Sequence, residues 1–198
     1  MKKEKLCKIF SDIPILNTER LVLRGMRRED AEDMYEYASR EEVTKFLLWS
    51  PHASLSYTRE YLKYIESRYV LGDFFDWAIV LAESDKMIGT CGFTKIDTVN
   101  NLGEIGYVLN PSYHRQGLAA EAAAEVIRFG FEELELHRIE ARFMTGNDAS
   151  RSVMEKLGME FEGFERESML VKGSYRTIGT YAIISEDYFG KKNIKNKE

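Results

Sequence analysis

Cysteine is nearly absent: Cys7 and Cys91 are the only two in 198 residues, and neither belongs to a C-x-x-C pair. That excludes a disulfide framework and the usual zinc spacings. Cys91 sits in an apolar run and reads as a small buried hydrophobe. No stretch approaches the roughly 18 consecutive apolar residues of a membrane span. The N-terminal MKKEKLCKIF is basic but has no apolar core of the secretory type, so a cytoplasmic chain without membrane contact is expected. Positive charge is not in excess either. With 28 Lys+Arg against 33 Asp+Glu the formal charge is -5, which argues against a nucleic-acid partner. There is no G-x-x-x-x-G-K-[ST] and no G-x-G-x-x-G following a strand, so neither a P-loop nor a dinucleotide fingerprint is present. Repeats and Pro- or Gly-rich linkers are also missing. One domain over 1–198 is expected, with a loose arm at 1–13 and a flexible tail at 190–198.

What remains is ordinary in amount and informative in order. Hydrophobic residues make up 44% of the chain, and a chain this long can bury about 70% of its unfolded surface. Glu19–Arg24 alternates as a strand. Arg28–Ala38 and Glu41–Leu48 read as helices. Ser54–Leu71 carries Leu55, Tyr61, Leu62, Ile65 and Tyr69 at helical spacing and stops at Gly72-Asp73. Phe75–Ala82 and Met87–Lys95 form a hairpin around Ser84-Asp85. A strand at Glu104–Leu109, a helix over 117–134 and a strand at Arg138–Met144 read as a parallel crossover. A short helix, Asn147–Leu157, ends at Gly158. Glu160–Val171 and Ser174–Ser185 close the chain as a hairpin around Lys172-Gly173. The expected fold is α/β: a mixed, largely antiparallel sheet with one central parallel pair that splays apart, and helices on both faces.

The segment GEIGYVLNPSYHRQGLAAEAAA, from Gly103 to Ala124, is the most informative. A strand ends at Asn110-Pro111, a compact loop follows, and Gly117 opens an Ala-rich helix. The first amides of a helix have no partner within it, and the macrodipole makes that end positive. Glycine lets a phosphate come close to the backbone. A phosphate-bearing ligand held by the amides of residues 115–119 is therefore expected, beside the slot where two parallel strands diverge.

Five segments in order, TERLVLR (18–24), IGTCGF (88–93), GEIGYVLNPSYHRQGLAAEA (103–122), HRIEARFMTGNDASRSVMEKLGM (137–159) and KGSYRT (172–177), resemble the GNAT superfamily of N-acetyltransferases in its RimJ/RimL-type branch. The resemblance spans most of residues 18–185. It implies acetyl-CoA as cosubstrate and no metal. The family's Gln/Arg-x-x-Gly-x-Gly/Ala reads here His114-Arg115-Gln116-Gly117-Leu118-Ala119, with His114 departing at the first position. By that resemblance Arg115, Gln116, Gly117, Leu118 and Ala119 hold the pyrophosphate. Tyr107, Val108 and Leu109 pair with the pantetheine arm as an added strand would. Asn147 contacts a pantetheine amide, or serves only as a helix N-cap.

The implied reaction is attack of an amine on a thioester. An alkylamine of pKa near 10.4 arrives protonated, so a base is useful. Glu104, on the strand beside the splay, is the expected base, with partial burial raising its pKa. Ser150 is expected to relay a proton. Many relatives place a Tyr four residues after it, where this chain has Met154. Some carry a carboxylate on the closing hairpin, where Met169 stands; Glu167 is near but alternates to the wrong side. The acceptor groove is expected between the early helices and that hairpin, with Tyr69, Phe74, Trp77 and Tyr175 as its walls and Asp73, Phe75 and Asp76 beside them, a mixture suited to a cationic amine. His52 and His137 carry no catalytic signal. The acceptor is a protein N-terminal amine or a small amine such as a polyamine, amino acid or antibiotic; a CoA-binding sensor without turnover is the third reading. Homodimers are common among such proteins.

Overall fold

The computed structural model describes residues 3–195, with side chains through Gly190. Its elements in chain order are α1 (Lys3–Phe10), β1 (Leu16–Asn17), β2 (Leu21–Arg24), α2 (Ala31–Ala38), α3 (Glu41–Thr44), α4 (Leu55–Leu71), β3 (Phe75–Leu81), β4 (Met87–Asp97) and β5 (Leu102–Leu109). Then follow α5 (Leu118–Glu132), β6 (Arg138–Met144), α6 (Asp148–Lys156), β7 (Glu160–Val171), β8 (Ser174–Ile184) and α7 (Ser185–Lys195). Among the described residues the strands make one eight-stranded sheet in the order β1-β2-β3-β4-β5-β6-β8-β7. Every neighbouring pair is antiparallel except β5 and β6. The expected mixed sheet with one parallel pair is what forms.

Local chemistry explains the boundaries. Ser54 caps α4 by accepting from the Tyr57 amide at 3.1 Å, and Gly72 ends it in a left-handed conformation. Residues alternate along β3. Trp77 and Ile79 join the core beneath α5, while Ala78 and Val80 join the core beneath α2 and α4. β3 is thus buried on both faces.

Three expectations are corrected. The supposed loose arm is the helix α1, because Leu6 and Phe10, four residues apart, share one buried face. Phe10 stands edge-on to Phe75, Trp77 and Phe129 at ring-centroid distances of 4.8, 5.4 and 6.2 Å. The supposed flexible tail is helical through Lys195; its last three residues lie outside the described residues. The helix expected over Glu41–Leu48 stops at Thr44.

Candidate active site

The two parallel strands part where the sequence suggested. Pairing of β5 with β6 runs from Leu102↔Arg138 to Ile105↔Ala141 and ends there, although β5 continues to Leu109 and β6 to Met144. Residues 106–109 therefore keep β4 as partner on one side and none of the ladder on the other. A cavity of about 520 Å³ opens at this point. β5 supplies Glu104, Gly106, Tyr107 and Val108, and β6 supplies Arg142 to Met144. Phe46 to Ser50, His52, Tyr57 and Tyr61 form an aromatic wall, with Tyr37 of α2 and Asp73 to Asp76 behind.

Beyond the end of β5 stands the loop before α5. Arg115 (φ 61°) and Gly117 (φ 80°) are both left-handed, so the chain turns sharply just ahead of the helix. Space over Gly117 is open: an added Cβ would meet only Arg20 Nη2 within 4 Å, at 3.7 Å. Arg20 was not foreseen. Its Nη1 donates to the Gln116 carbonyl at 3.0 Å and its Nε to Glu121 Oε2 at 2.7 Å. The Thr18 hydroxyl and the Arg20 amide donate to Glu121 Oε1 at 2.6 and 3.0 Å. The β1–β2 turn is thereby bolted to the first turn of α5. His114 Nε2 lies 3.0 Å from the Leu109 carbonyl and ties the loop to the end of β5. Leu118 is buried and Ala119 half-buried against the core, so these two positions offer a ligand their backbone.

Along β5 the Tyr107 hydroxyl donates to the Ser150 carbonyl at 2.9 Å, and its oxygen lies 3.1 Å from Ser150 Oγ. Burial pushes the phenol well above its usual range, against the bond to Ser150. Asn147 Oδ1 caps α6 by accepting from the Ser150 amide at 3.2 Å. Met154 is buried, and Met169 lines the cavity. The alternation argument for Glu167 does not apply, because a register shift between Glu165 and Met169 interrupts β7 there and Glu167 has φ 52°.

Glu104 lies at the splay, beside a second irregularity. Thr94 is an extra residue in β4, between Phe93↔Ile105 and Lys95↔Glu104. Its hydroxyl donates to Glu104 Oε1 at 3.1 Å. Arg142 Nη1 stands 3.9 Å from Glu104 Oε2, and Arg142 Nη2 lies 3.6 Å from Glu165 Oε2.

The expected acceptor walls divide. Phe74 lines the cavity. Tyr69 is buried behind it, its hydroxyl donating to the Asp76 carbonyl at 2.6 Å and accepting from the Met26 amide at 3.2 Å. Trp77 is a correction: it has no exposed surface, faces the α5 side of the sheet, and donates Nε1–H to the Pro14 carbonyl at 2.7 Å. It cannot contact an acceptor in the cavity. Tyr175 is also a correction, since it is 66% exposed near the β7–β8 turn and does not line the cavity. In their place stand Tyr37, Tyr61 and His52. The His52 ring packs at 5.0 to 5.4 Å from Tyr57, Trp49 and Tyr61, with Nδ1 2.9 Å from the Thr58 hydroxyl; burial lowers its pKa. Among the described residues no helix is long and apolar enough to cross a membrane, and no group of three His, Cys, Asp or Glu side chains is placed to hold a metal.

Known proteins share this arrangement. Residues 20–160 match the family described as Acetyltransferase (GNAT) domain. An uncharacterized N-acetyltransferase, p20, of Bacillus licheniformis is 35% identical over 88% of this chain and 98% of its own length. The [ribosomal protein uS5]-alanine N-acetyltransferase of Escherichia coli is 27% identical over 87% of this chain and 92% of its own. The crystal structure of a GNAT-family acetyltransferase from Bacillus anthracis superposes with a TM-score of 0.78 at 30% identity, covering 87% of this chain and 99% of that one. Splayed strands, a glycine-opened helix beside them and these relatives agree: the chain belongs to the GNAT family of N-acetyltransferases.

Proposed function

We propose that this enzyme moves the acetyl group of acetyl-CoA to the α-amine at the N-terminus of a protein, in the cytoplasm. The observation that carries the reading is the end of the β5–β6 ladder at Ile105↔Ala141, next to an open helix N-terminus at Gly117 and an aromatic cavity. The residues fit the cosubstrate. The amides of 115–119 at a left-handed loop and helix start suit a diphosphate. The edge of β5 left without a ladder partner suits the amides of an extended pantetheine. Acetyl-CoA supplies an activated thioester. The chain's own part is to hold that thioester against the β5 edge, present the amine from the cavity, and exclude water between them. Aligning two reactants this way is worth roughly 7 to 11 kcal/mol, and a backbone amide of residues 107–109 facing the developing oxyanion adds about 3 to 4 kcal/mol. The protein acceptor is favoured by the ribosomal-protein acetyltransferase among the relatives, which covers nearly the same length.

The test is thiol release from acetyl-CoA with peptides bearing free or blocked N-termini and with a panel of small amines. Turnover confined to free N-termini supports the reading. Turnover only with polyamines, amino acids or antibiotics overturns the acceptor. Acetyl-CoA binding with no thiol release from any acceptor overturns catalysis.

A further inference from the structure

Asp76, Gly92 and Gly106 are successive register partners across β3, β4 and β5. Partners in register share a face of the sheet, and neighbouring strands lie about 4.8 Å apart. This face is the one beneath α2 and α4, since Ala78 and Val80, two and four residues on from Asp76, pack there. Neither glycine raises a side chain, which leaves room for the Asp76 carboxylate over Gly92 and for the Thr94 methyl over Gly106, where an added Cβ would meet it at 2.8 Å. The carboxylate lies directly over Gly92: a Cβ there would come within 2.7 Å of Asp76 Oδ1.

Oδ1 is buried and has no hydrogen-bond partner. The groups around it are Tyr37 of α2, Tyr61 and Tyr69 of α4, and Thr90 and Cys91 of β4. The Tyr69 hydroxyl is committed to the Asp76 main-chain carbonyl. Elsewhere in the cavity Glu104 faces Arg142 at 3.9 Å, Asp73 pairs with Arg68 at 2.7 Å, and His52 sits in its aromatic ring stack. No cation among the described residues pairs with Asp76. A buried carboxylate oxygen without a donor costs free energy that an ammonium would relieve. The walls on either side, Tyr61, Phe74 and Tyr37, are rings whose faces favour a cation.

We propose that Asp76 receives the acceptor's ammonium and takes its proton, the neutral amine then attacking the thioester at the splay. This rests on the acetyl-transfer reading above and names the group that selects the amine. The proton passes from the ammonium nitrogen to the Asp76 carboxylate. The nitrogen lone pair forms the new N–C bond at the thioester carbonyl, and the C–S bond breaks. The second proton lost by that nitrogen leaves on sulfur as the CoA thiol, and Asp76 returns its proton to water.

Burial pushes the Asp76 carboxyl up to about 7, with the neighbouring Thr90 hydroxyl and Trp77 amide holding it down in part. A protein α-amine titrates near 8 and a lysine-type amine near 10.4. Proton transfer to Asp76 is therefore uphill by about one pK unit for the first and by more than three for the second, roughly tenfold against a thousandfold. A bound ammonium lowers the carboxyl equally for both, so the preference for an α-amine stands.

The experiment measures kcat/KM against pH for a free-N-terminus peptide with the wild type, Asp76→Asn and Asp76→Glu. Acetyl-CoA affinity and thermal melting are measured alongside. The wild type is expected to lose activity below about pH 7 as Asp76 protonates. Asp76→Asn should lose 10²-fold or more at neutral pH, show its acid limb near the amine's own pKa of about 8 in place of the one near 7, and bind acetyl-CoA within about twofold of wild type, whereas Asp76→Glu should recover part of the rate. Asp76→Asn should also melt at or above the wild-type temperature at pH 8, because a carboxyl whose folded pKa is raised destabilises the fold once it ionises. A fully active Asp76→Asn that keeps its acid limb near pH 7 overturns this inference and leaves acetyl transfer standing. A wild type that releases no thiol with any peptide overturns both.

Discussion

Gly92 faces Asp76 across the β3–β4 register, and a methyl group placed on it would overlap the Asp76 Cα and the Phe75 carbonyl oxygen. Both are backbone atoms, so the strands themselves would have to part. Gly92→Ala is expected to destabilise by about 1 to 3 kcal/mol and to lower kcat/KM for the amine in whatever fraction stays folded. Gly106→Ala is the contrast. There the added Cβ meets only the Thr94 methyl, at 2.8 Å, a side-chain atom and not backbone. That variant should keep its melting temperature within a few degrees while raising KM for the acceptor, because the added methyl stands on β5 where its ladder with β6 has ended. Chemical denaturation and steady-state kinetics on the pair separate the two effects; equal loss of stability in both would contradict the register argument.

Glu104 and Asp76 are different kinds of carboxylate. Glu104 is held by the Thr94 hydroxyl at 3.1 Å and lies 3.9 Å from Arg142, whereas Asp76 Oδ1 has no partner. Glu104→Gln is therefore expected to reduce kcat/KM by about tenfold or less, through a slackened Arg142, and to leave the acid limb near pH 7 in place. Loss of that limb in Glu104→Gln, with Asp76→Asn unaffected, would return the role of base to Glu104.

The fold was legible wherever periodicity was local, and the site only where its chemistry was main-chain. Residues 103–124 announced a strand, a turn and a helix start because alternation, Asn110-Pro111 and Gly117 each act within a few residues. The helix at Lys3–Phe10 was not legible, since its lysines read as a solvated arm and only the distant rings of Trp77 and Phe129 make Phe10 a core residue. Trp77 was misassigned for a related reason. Alternation says that Asp76 and Trp77 face opposite ways, but which of them meets the cavity depends on where α5 lies. For Glu167 alternation could not decide, because a break in the β7–β8 register interrupts it at that point. That Asp76 Oδ1 has no partner depends on what α2, α4 and β4 bring around it and has no signature in β3 alone.

The loop ahead of α5 gives a prediction about the cosubstrate alone. Gly117 is left-handed with φ 80°, and its surroundings are open apart from Arg20 Nη2. Gly117→Ala should cost about 1 to 2 kcal/mol of stability for the left-handed backbone and weaken acetyl-CoA binding only severalfold. Gly117→Glu carries the same strain and adds a negative charge where the diphosphate is proposed to sit, so it should abolish binding measurable by calorimetry. A Gly117→Glu variant that binds acetyl-CoA as well as Gly117→Ala would place the diphosphate elsewhere.

Glu121 makes that same loop sensitive to acid. Burial alone would raise its pKa, but hydrogen bonds from the Thr18 hydroxyl, the Arg20 amide and the Arg20 guanidinium outweigh it and hold the carboxylate below its usual range. A carboxylate with a lowered folded pKa stabilises the fold above its unfolded pKa, and the contribution disappears as pH falls through the folded value. Arg20 is about half exposed, so solvent screens its share. Glu121→Gln should accordingly lose about 1 to 2 kcal/mol at pH 7, with the gap to wild type closing as both are titrated below pH 4. Acetyl-CoA affinity should fall in parallel at pH 7, because Arg20 then loses the anchor that holds it on the Gln116 carbonyl. Denaturant midpoints at pH 7, 5 and 3.5 would decide it: a difference that stays constant across this range would mean that Glu121 acts by packing rather than by charge.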